Sequence, residues 1–381
     1  MKKCLLAIAA PACLWGTLAH AQSSVQLYGL IDEGFNYTTN AKGSRGYQLL
    51  AGDLAGSRWG LRGEEALGDG LSAVFRLESG FSPNTGKLSQ GGREFGRQAY
   101  VGLSSQQYGT FTMGRQTDPT IDLWSVFTGA GNTIGDLAAH PFDNDNSDFT
   151  YRIQNSVKYV SPAWRGFTGE ALYGFSNGAG AFATNRVYSV AGSYHAGGFA
   201  AALAYMNTTG GGINTTGAVA SDNQTFTAAA QENFDAGVSY TFTNRAMLAF
   251  AYSRVNVYDP TSNVFFTKQP ATGSQIAWKF DNFDINGQWF FRPDLSLAAD
   301  YTYSLQHITT TSGHSTPKWQ QVALMLNYAA SKRTSLYVQG AYQHVNGDTN
   351  TQFDNASIVG AAAISSSGNQ MVYRVAMLHR F

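Results

Sequence analysis

The side chains of this sequence that could do chemistry are charged groups, and the negative and positive groups lie in different parts of the chain. Six aspartates lie in a stretch, residues 117–150, that contains no Lys or Arg: Asp118, Asp122, Asp136, Asp143, Asp145 and Asp148. Arginines recur outside that stretch, at Arg58, Arg62, Arg76, Arg97 and Arg152. Guanidinium groups that face carboxylates across a water-filled gap create a transverse electric field, which orients and filters polar solutes without breaking bonds.

The histidines and cysteines do not form the patterns that catalysis or metal binding requires. A hydrolase needs a Ser-His-Asp or Ser-His-Glu set or a pair of catalytic acids, and no nucleophile motif accompanies any of the histidines. No His/Cys cluster has the spacing of metal ligands. We therefore expect no enzyme activity, no cofactor and no metal, with a hydrolase as the alternative to be weighed.

The composition excludes several classes of protein. The 381 residues carry 25 Lys and Arg against 25 Asp and Glu, and a neutral chain lacks the basic excess that drives nucleic-acid binding. Aromatic residues make up 13%, which is typical of a chain that buries surface and not of a disordered one. After the first 21 residues no apolar run is long enough for a membrane-spanning helix. A large β-protein rich in Gly and Tyr remains.

The first 21 residues have the features of an export signal. Met1-Lys2-Lys3 gives a positive start, an apolar run extends from Leu5 to Leu18, and Ala19-His20-Ala21 matches a signal-peptidase site. We expect cleavage before Gln22, which leaves a single domain over residues 22–381. Both cysteines lie inside the signal, so the exported chain is expected to have no disulfide. A core helix and a lipid anchor at Cys13 are the alternatives.

Strands must position the charged groups, because apolar and polar residues alternate along most of the chain. From Leu295 to Gln306 one face carries Leu, Ala and Tyr, and the other carries Ser, Ala, Asp, Thr and Gln. Sixteen strands are predicted, near residues 25–37, 46–64, 70–81, 93–103, 109–116, 151–161, 166–175, 186–195, 198–207, 231–241, 245–257, 273–291, 295–308, 317–329, 334–346 and 369–381.

Short turns and long loops alternate between these strands. A membrane-spanning up-and-down barrel has this pattern and an even number of strands, whereas a soluble sandwich has Greek-key connections. Sixteen strands enclose a lumen too wide for side chains to fill, so the polar face must point inward. The sequence thus predicts an all-β fold, a 16-stranded antiparallel transmembrane β-barrel.

The third long loop, at about 117–150, is expected to fold into this barrel. Its length of 34 residues is far beyond that of a usual connection. It also holds apolar groups that need cover: Trp124, Phe127, Ile134, Leu137 and Phe142. A mobile external loop is the alternative.

The five arginines are expected to face the lumen, because an arginine near the lipid midplane would cost about 2–4 kcal/mol. Together with the aspartates of the loop, above all Asp118, Asp122 and Asp136, they would form a charged constriction. For Arg62 and Arg76, structural ion pairs with neighbouring glutamates are an equally open interpretation.

Several motifs resemble the trimeric general porins of Gram-negative outer membranes, in particular the Neisseria- and Burkholderia-like branch. Val25-Gln26-Leu27-Tyr28-Gly29-Leu30-Ile31-Asp32 is similar to that family's first strand. The other motifs are GSRWGLRGEEALG from Gly56, GLSAVFRLESGF from Gly70, GRQAYVGLSSQQYGTFTMGRQTD from Gly96, RIQNSVKYVSP from Arg152, and the final Leu378-His379-Arg380-Phe381. The resemblance covers essentially the whole chain after the signal.

The resemblance implies a function and a set of site residues. It implies a homotrimeric diffusion pore for ions and small hydrophilic solutes, with eyelet arginines at Arg58, Arg97 and Arg152 and an eyelet acid at Asp136. Enterobacterial relatives carry a Glu shortly before that acid, where this chain has Asn132. The departure favours a weak anion preference.

The same resemblance implies partners and a location. The barrel is expected in the Gram-negative outer membrane, in contact with lipid and lipopolysaccharide, and Phe381 resembles the aromatic signal that the barrel-assembly machinery recognises. No nucleic acid is expected to bind. Two alternatives from other classes are an outer-membrane enzyme on a barrel and an adhesin or solute-specific channel whose specificity lies in the long outer loops.

Overall fold

The computed structural model describes residues 24–381, whose alternating sequence forms sixteen antiparallel strands that close into a barrel. The strands are β1 Ser24–Ala41, β2 in two segments, Ser44–Ala51 and Arg58–Gly68, β3 Leu71–Gly80, β4 Gln98–Ser105, β5 Gly109–Gln116, β6 Ile153–Val160, β7 Phe167–Gly174, β8 Arg186–Ala196, β9 Phe199–Thr209, β10 Ala230–Thr241, β11 Met247–Tyr258, β12 Gln275–Arg292, β13 Leu295–Thr310, β14 in two segments, Gly313–Ser315 and Lys318–Ala329, β15 Thr334–Asn346 and β16 Asn369–Arg380.

Each strand pairs with its neighbours along the chain, and β1 closes the barrel by pairing with β16 from Leu30↔Arg380 to Thr38↔Val372. Small elements lie outside the barrel sheet. Two-residue strands, Phe226–Thr227 and Ser262–Asn263, pair with each other. Short helical turns occupy Thr120–Trp124, Ser125–Phe127, Gly129–Asn132, Asp136–Ala138, Pro141–Asp143 and Gln352–Asp354. No helix within residues 24–381 combines the length and the apolar character needed to cross a membrane.

The barrel is apolar outside and mixed or polar inside. In β14, Val322, Leu324 and Leu326 are 41–47% exposed, whereas the alternate residues Gln321 and Ala323 are at most 2% exposed. This alternation is that of a barrel whose outer face meets lipid and whose inner face meets water or other protein groups. The predicted fold class is therefore confirmed.

All sixteen predicted strands are present, with two local differences. β4 begins at Gln98, later than predicted, because turns and bends continue from residue 89 to residue 97, with left-handed backbone at Gln90, Gly91 and Gly92. β2 is interrupted at residues 52–57, where the chain turns Asp53 inward. The predicted signal peptide, residues 1–21, lies outside the described residues.

A buried ion network ties this interruption to the closing strands. The Arg374 side chain, fully buried, lies 3.2 Å from Asp32 and 3.4 Å from Asp53. Arg374 also donates hydrogen bonds to Tyr337 and Asn36. Because β1, β2, β15 and β16 all contribute, the network fixes the barrel where its two ends meet.

We predict that Arg374→Met destabilises the barrel. The substitution leaves two carboxylates buried without a cation, and breaking a buried pair in this way costs about 3–5 kcal/mol. The free energy of unfolding in detergent, from a denaturant titration, measures the loss. Arg380→Met, at an exposed position on the same strand, is the matched control. Equal stability of Arg374→Met and the wild type would contradict the role of the network.

Candidate functional site

The long loop between β5 and β6 lies against the inner wall of the barrel. Trp124 donates a hydrogen bond of 2.9 Å from Nε1 to the carbonyl oxygen of Ala236. Three lumen-facing amides donate to carbonyl oxygens of the loop: Asn286 to Phe127, Gln321 to Leu137 and Gln339 to Ile134. The apolar side chains of the loop are buried here, since Trp124, Phe127, Ile134, Leu137 and Phe142 are at most 2% exposed. The loop therefore narrows the lumen.

One glycine of the wall makes room for the loop. A Cβ atom on Gly237 of β10 would lie 2.6 Å from the ring of Phe127. The same strand accepts the Trp124 hydrogen bond at Ala236. The absence of a side chain at Gly237 thus allows the first half of the loop to lie flat on the strand.

A charged cluster anchors the middle of the loop. His140 Nδ1 lies 2.6 Å from Asp145, and Nε2 lies 3.4 Å from Asp284 of β12. Asp145 also accepts hydrogen bonds from Ser253 and Asn282 on the wall. Burial alone would lower the pKa of His140, but the carboxylates of Asp145 and Asp284 hold it well above its ordinary value. The protonated imidazole therefore ties the loop to the barrel by charge.

Arginines form the opposite side of the narrowed lumen. Arg97 donates from Nε to Glu78 at 2.8 Å, and Arg58 lies 4.0 Å from the same carboxylate. Arg152, directly before β6, is 3% exposed and donates to the carbonyl oxygen of Phe149. Burial, followed by the nearby guanidinium groups, lowers the pKa of Arg152 well below its ordinary value. We call Arg58, Arg97 and Arg152 the arginine wall.

The arginine wall and the loop enclose a cavity of about 560 Å³. All three arginines line it, and the loop contributes Ala130, Gly131, Asp136, Asp148 and Thr150. The structure thus brings four of the predicted constriction residues together, namely Arg58, Arg97, Arg152 and Asp136. This is the arrangement that can apply a transverse field to a passing solute.

The other four predicted residues lie elsewhere. Arg76 bonds to Tyr28 and Glu78, which is the structural ion pair of the alternative interpretation. Arg62 donates to Gln26 and not to a glutamate.

The two aspartates at the start of the loop are also engaged away from the cavity. Asp118 is fully buried and accepts from the backbone of Thr120. Asp122 pairs with Lys158 of β6. The described residues that line the cavity do not include Asp118, Asp122, Arg62 or Arg76. We therefore do not assign these four residues to the constriction.

Asp148 and Arg115 lie at or beside the cavity, although the sequence predicts neither as a constriction residue. Asp148 lines the cavity beside Asp136. Arg115 is buried beside the wall and donates to the carbonyl oxygen of Gly96. The sequence shows the negative charge of Asp148 within the acidic stretch. It does not show that the side chain points to the cavity, because that orientation depends on a turn without any sequence periodicity. The hydrogen bond from the backbone N–H of Asp148 to Asp143 holds this turn.

No feature of the described residues resembles a metal centre, since no group of three or more His, Cys, Asp or Glu side chains there could hold a metal ion.

Phe381, the predicted assembly signal, follows β16 and exchanges two backbone hydrogen bonds with Gly29 of β1. The residue is 45% exposed.

An apolar outer surface, a closed sheet and an inner cavity lined by charged groups are the features of a transmembrane diffusion channel. Comparison with known proteins supports the same class of protein. A family model described as Gram-negative porin matches residues 6–348. An outer membrane porin protein of Bordetella pertussis is 34% identical over 90% of this chain and 94% of its own length. Outer membrane porin protein 32 of Delftia acidovorans is 37% identical over 46% of this chain and 50% of its own length.

Among solved structures, an anion-selective porin from Comamonas acidovorans superimposes with a TM-score of 0.71 at 23% identity, covering 94% of this chain and 100% of that one. The chain belongs to the Gram-negative porin family. It is an outer-membrane β-barrel that forms a water-filled pore for the passive passage of ions and small hydrophilic solutes.

We predict that the stabilising effect of His140 depends on pH. Its pKa is raised in the folded barrel, so its contribution is fully present below the ordinary value of about 6.5 and is lost as pH rises through the raised pKa. The difference in unfolding free energy between the wild type and His140→Gln should therefore shrink as pH rises. Denaturant titrations from pH 6 upward measure it, and His379→Gln, at an exposed position, should show no such trend. A difference that stays constant over the range would contradict the electrostatic anchor.

Proposed function

We propose that this porin passes small anions in preference to cations. The observation that carries the proposal is the charge around the cavity: three arginines line it, and the nearest carboxylate on their side, Glu78, must also neutralise Arg76. A surplus of positive charge remains on the wall. Because the three arginines line the cavity itself, an ion beside them experiences this surplus within the screening length of about 8 Å.

The loop side offers less negative charge than its six aspartates suggest. Asp118, Asp122, Asp143 and Asp145 are engaged by other groups of the loop and wall. Asn132, at the position where the resemblance leads one to expect a second eyelet acid, is uncharged and exposed. The Comamonas acidovorans porin, whose fold this chain shares, is anion-selective, which supports the same sign of selectivity here.

Assembly is part of the same proposal. We propose a homotrimer in contact with outer-membrane lipid and lipopolysaccharide, a signal peptide at residues 1–21 that directs export, and recognition of Phe381 by the barrel-assembly machinery. A Vibrio cholerae outer membrane protein that shares the fold, at a TM-score of 0.63, is described in a trimer form. Phe381 is half-exposed at the seam between β1 and β16, a position that suits recognition by the assembly machinery before the barrel closes. We propose no catalytic role, because His140, which has acidic neighbours, is fully buried between its own loop and the barrel wall.

The first test is conductance. Purified protein should insert into planar bilayers and raise the current in groups of three equal steps, because each protomer of a trimer carries its own pore. Protein unfolded by heat before addition is the control and should give none. A folded preparation that produces no conductance would exclude a diffusion pore, and single isolated steps would exclude the trimer.

The second test reverses one charge of the arginine wall. Arg58→Glu should lower the chloride-to-potassium permeability ratio roughly threefold to tenfold, since two elementary charges change close to the ion path. The reversal potential in a KCl gradient measures this ratio. Arg333→Glu makes the same chemical change in an exposed turn and should leave the ratio unchanged. An unaltered ratio in Arg58→Glu would place that arginine outside the rate-limiting constriction.

A further inference from the structure

Basic side chains on four neighbouring strands lie on the outer face of the barrel, near the end that carries the long loops. They are Arg254 of β11, Lys279 of β12, His307 of β13 and Lys318 of β14, and we call them the outer basic patch. Each has the strand parity of residues that are exposed on the lipid-facing side, as Lys279 has with Phe283 and Ile285. Arg254, His307 and Lys318 are exposed, and Lys279 is half-buried.

The register of the strands brings these four groups together. Lys279 lies directly opposite His307. Lys318 lies opposite Leu305, the second residue before His307. Arg254 lies opposite Asp281, the second residue after Lys279. Diagonal neighbours of this kind are about 7–8 Å apart, within reach of long side chains, so one ligand group can contact two or more members of the patch.

The patch keeps positive charge that the protein itself does not neutralise. Arg254 lies 3.4 Å from Asp281, whose carboxylate also accepts from the hydroxyl of Tyr252. The ion pairs formed within residues 24–381 include neither Lys279 nor Lys318. Two lysine charges are therefore left for a partner.

The acid on the neighbouring strand β10 is engaged elsewhere. Glu232 accepts hydrogen bonds from the hydroxyl groups of Tyr205 and Tyr258. It is thus held on the side of the patch away from Lys318, and the positive surplus on β12 and β14 persists.

The position of the patch along the strands indicates its depth in the membrane. On β12 ten residues separate Lys279 from the exposed Trp289 near the short-turn end, and on β14 ten residues separate Lys318 from the exposed Tyr328. A rise of about 3.3 Å per residue at a tilt of about 40° places the two levels about 25 Å apart. This is the height of the apolar band of an outer-membrane barrel, whose long loops are extracellular. The patch therefore lies at the level of the lipid headgroups in the outer leaflet.

We propose that the outer basic patch is a binding site for the phosphate groups of lipopolysaccharide, whose acyl chains lie on the apolar strand surface below it. The inference rests on the proposed function, in which the barrel contacts lipopolysaccharide, and assigns that contact to β11–β14. Ammonium and guanidinium groups bind phosphate oxygens through charge-assisted hydrogen bonds, and the imidazole of His307 can donate one more. Below the patch, Phe283, Val322 and Leu324 are exposed and offer the acyl chains an apolar surface.

Native mass spectrometry of the folded porin in detergent, titrated with purified diphosphorylated lipid A, tests this site. The wild type should retain lipid A. The double variant Lys279→Gln with Lys318→Gln should bind it with an apparent affinity about tenfold to thirtyfold lower, because each basic residue near a charged lipid contributes roughly fivefold. Lys332→Gln with Arg333→Gln removes two positive charges from an exposed short turn at the other end of the barrel and should leave the affinity unchanged.

Changes in the ligand separate a lipid site from other occupants. Lipid A without its phosphates should bind the wild type as weakly as the intact lipid binds the double variant. Equal binding of the two lipids, or equal affinity of the wild type and the double variant, would overturn the proposal. Displacement of lipid A by excess inorganic phosphate would show a site for free anions instead. Loss of the oligomer in the double variant would show that a second copy of the chain covers the patch.

Pore measurements distinguish failure of this site from failure of the proposed function. Lys279 and Lys318 do not line the cavity at the constriction, so the double variant should keep the conductance and the reversal potential of the wild type. Heat-modifiable migration on a gel shows that each variant has folded. Cation selectivity of the wild type would reject the anion-preferring pore and leave the lipid site standing. An anion-selective pore whose lipid A binding is indifferent to both lysines would reject the lipid site alone.

Discussion

The constraint on which the structure depends is that a strand in lipid must satisfy every backbone N–H and C=O group through its neighbours. Only a closed sheet does this, and here closure is made by the pairing of β1 with β16. The outer face must then be apolar, as the exposed Val322, Leu324 and Leu326 are. Every polar group that function needs is thereby confined to the lumen. Sixteen strands leave that lumen too wide for side chains to fill, so selectivity requires an additional element inside.

The loop between β5 and β6 is that element, and its sequence reflects two demands at once. Apolar groups such as Trp124 and Phe127 pack on the wall, whereas its acids must find partners before they can be buried. His140 is one partner and Lys158 is another. Of the six loop aspartates, Asp136 and Asp148 line the cavity. The anchoring of the loop and the charge of the constriction are therefore set by the same distribution of partners.

The sequence allowed the barrel to be predicted because alternation between lipid and lumen is a local property, visible within each strand. The interruption of β2 was not visible in this way, since it depends on Asp53 meeting Arg374, which lies more than 300 residues away along the chain. Strand parity also placed Arg58 and Arg97 in the lumen. Parity did not show which lumen arginines line the cavity. Arg62 is bonded to Gln26, and Arg76 is bonded to Tyr28 and Glu78, and such partners cannot be predicted from alternation.

The equal numbers of basic and acidic residues in the chain therefore conceal an unequal constriction. Two loop acids, Asp122 and Asp145, are neutralised by Lys158 and His140 where they anchor the loop. Arg58, Arg76 and Arg97 share one carboxylate, that of Glu78. We infer that positive charge is left at the cavity without any excess in the composition. The packing of the loop and the sign of selectivity thus follow from one arrangement of charges.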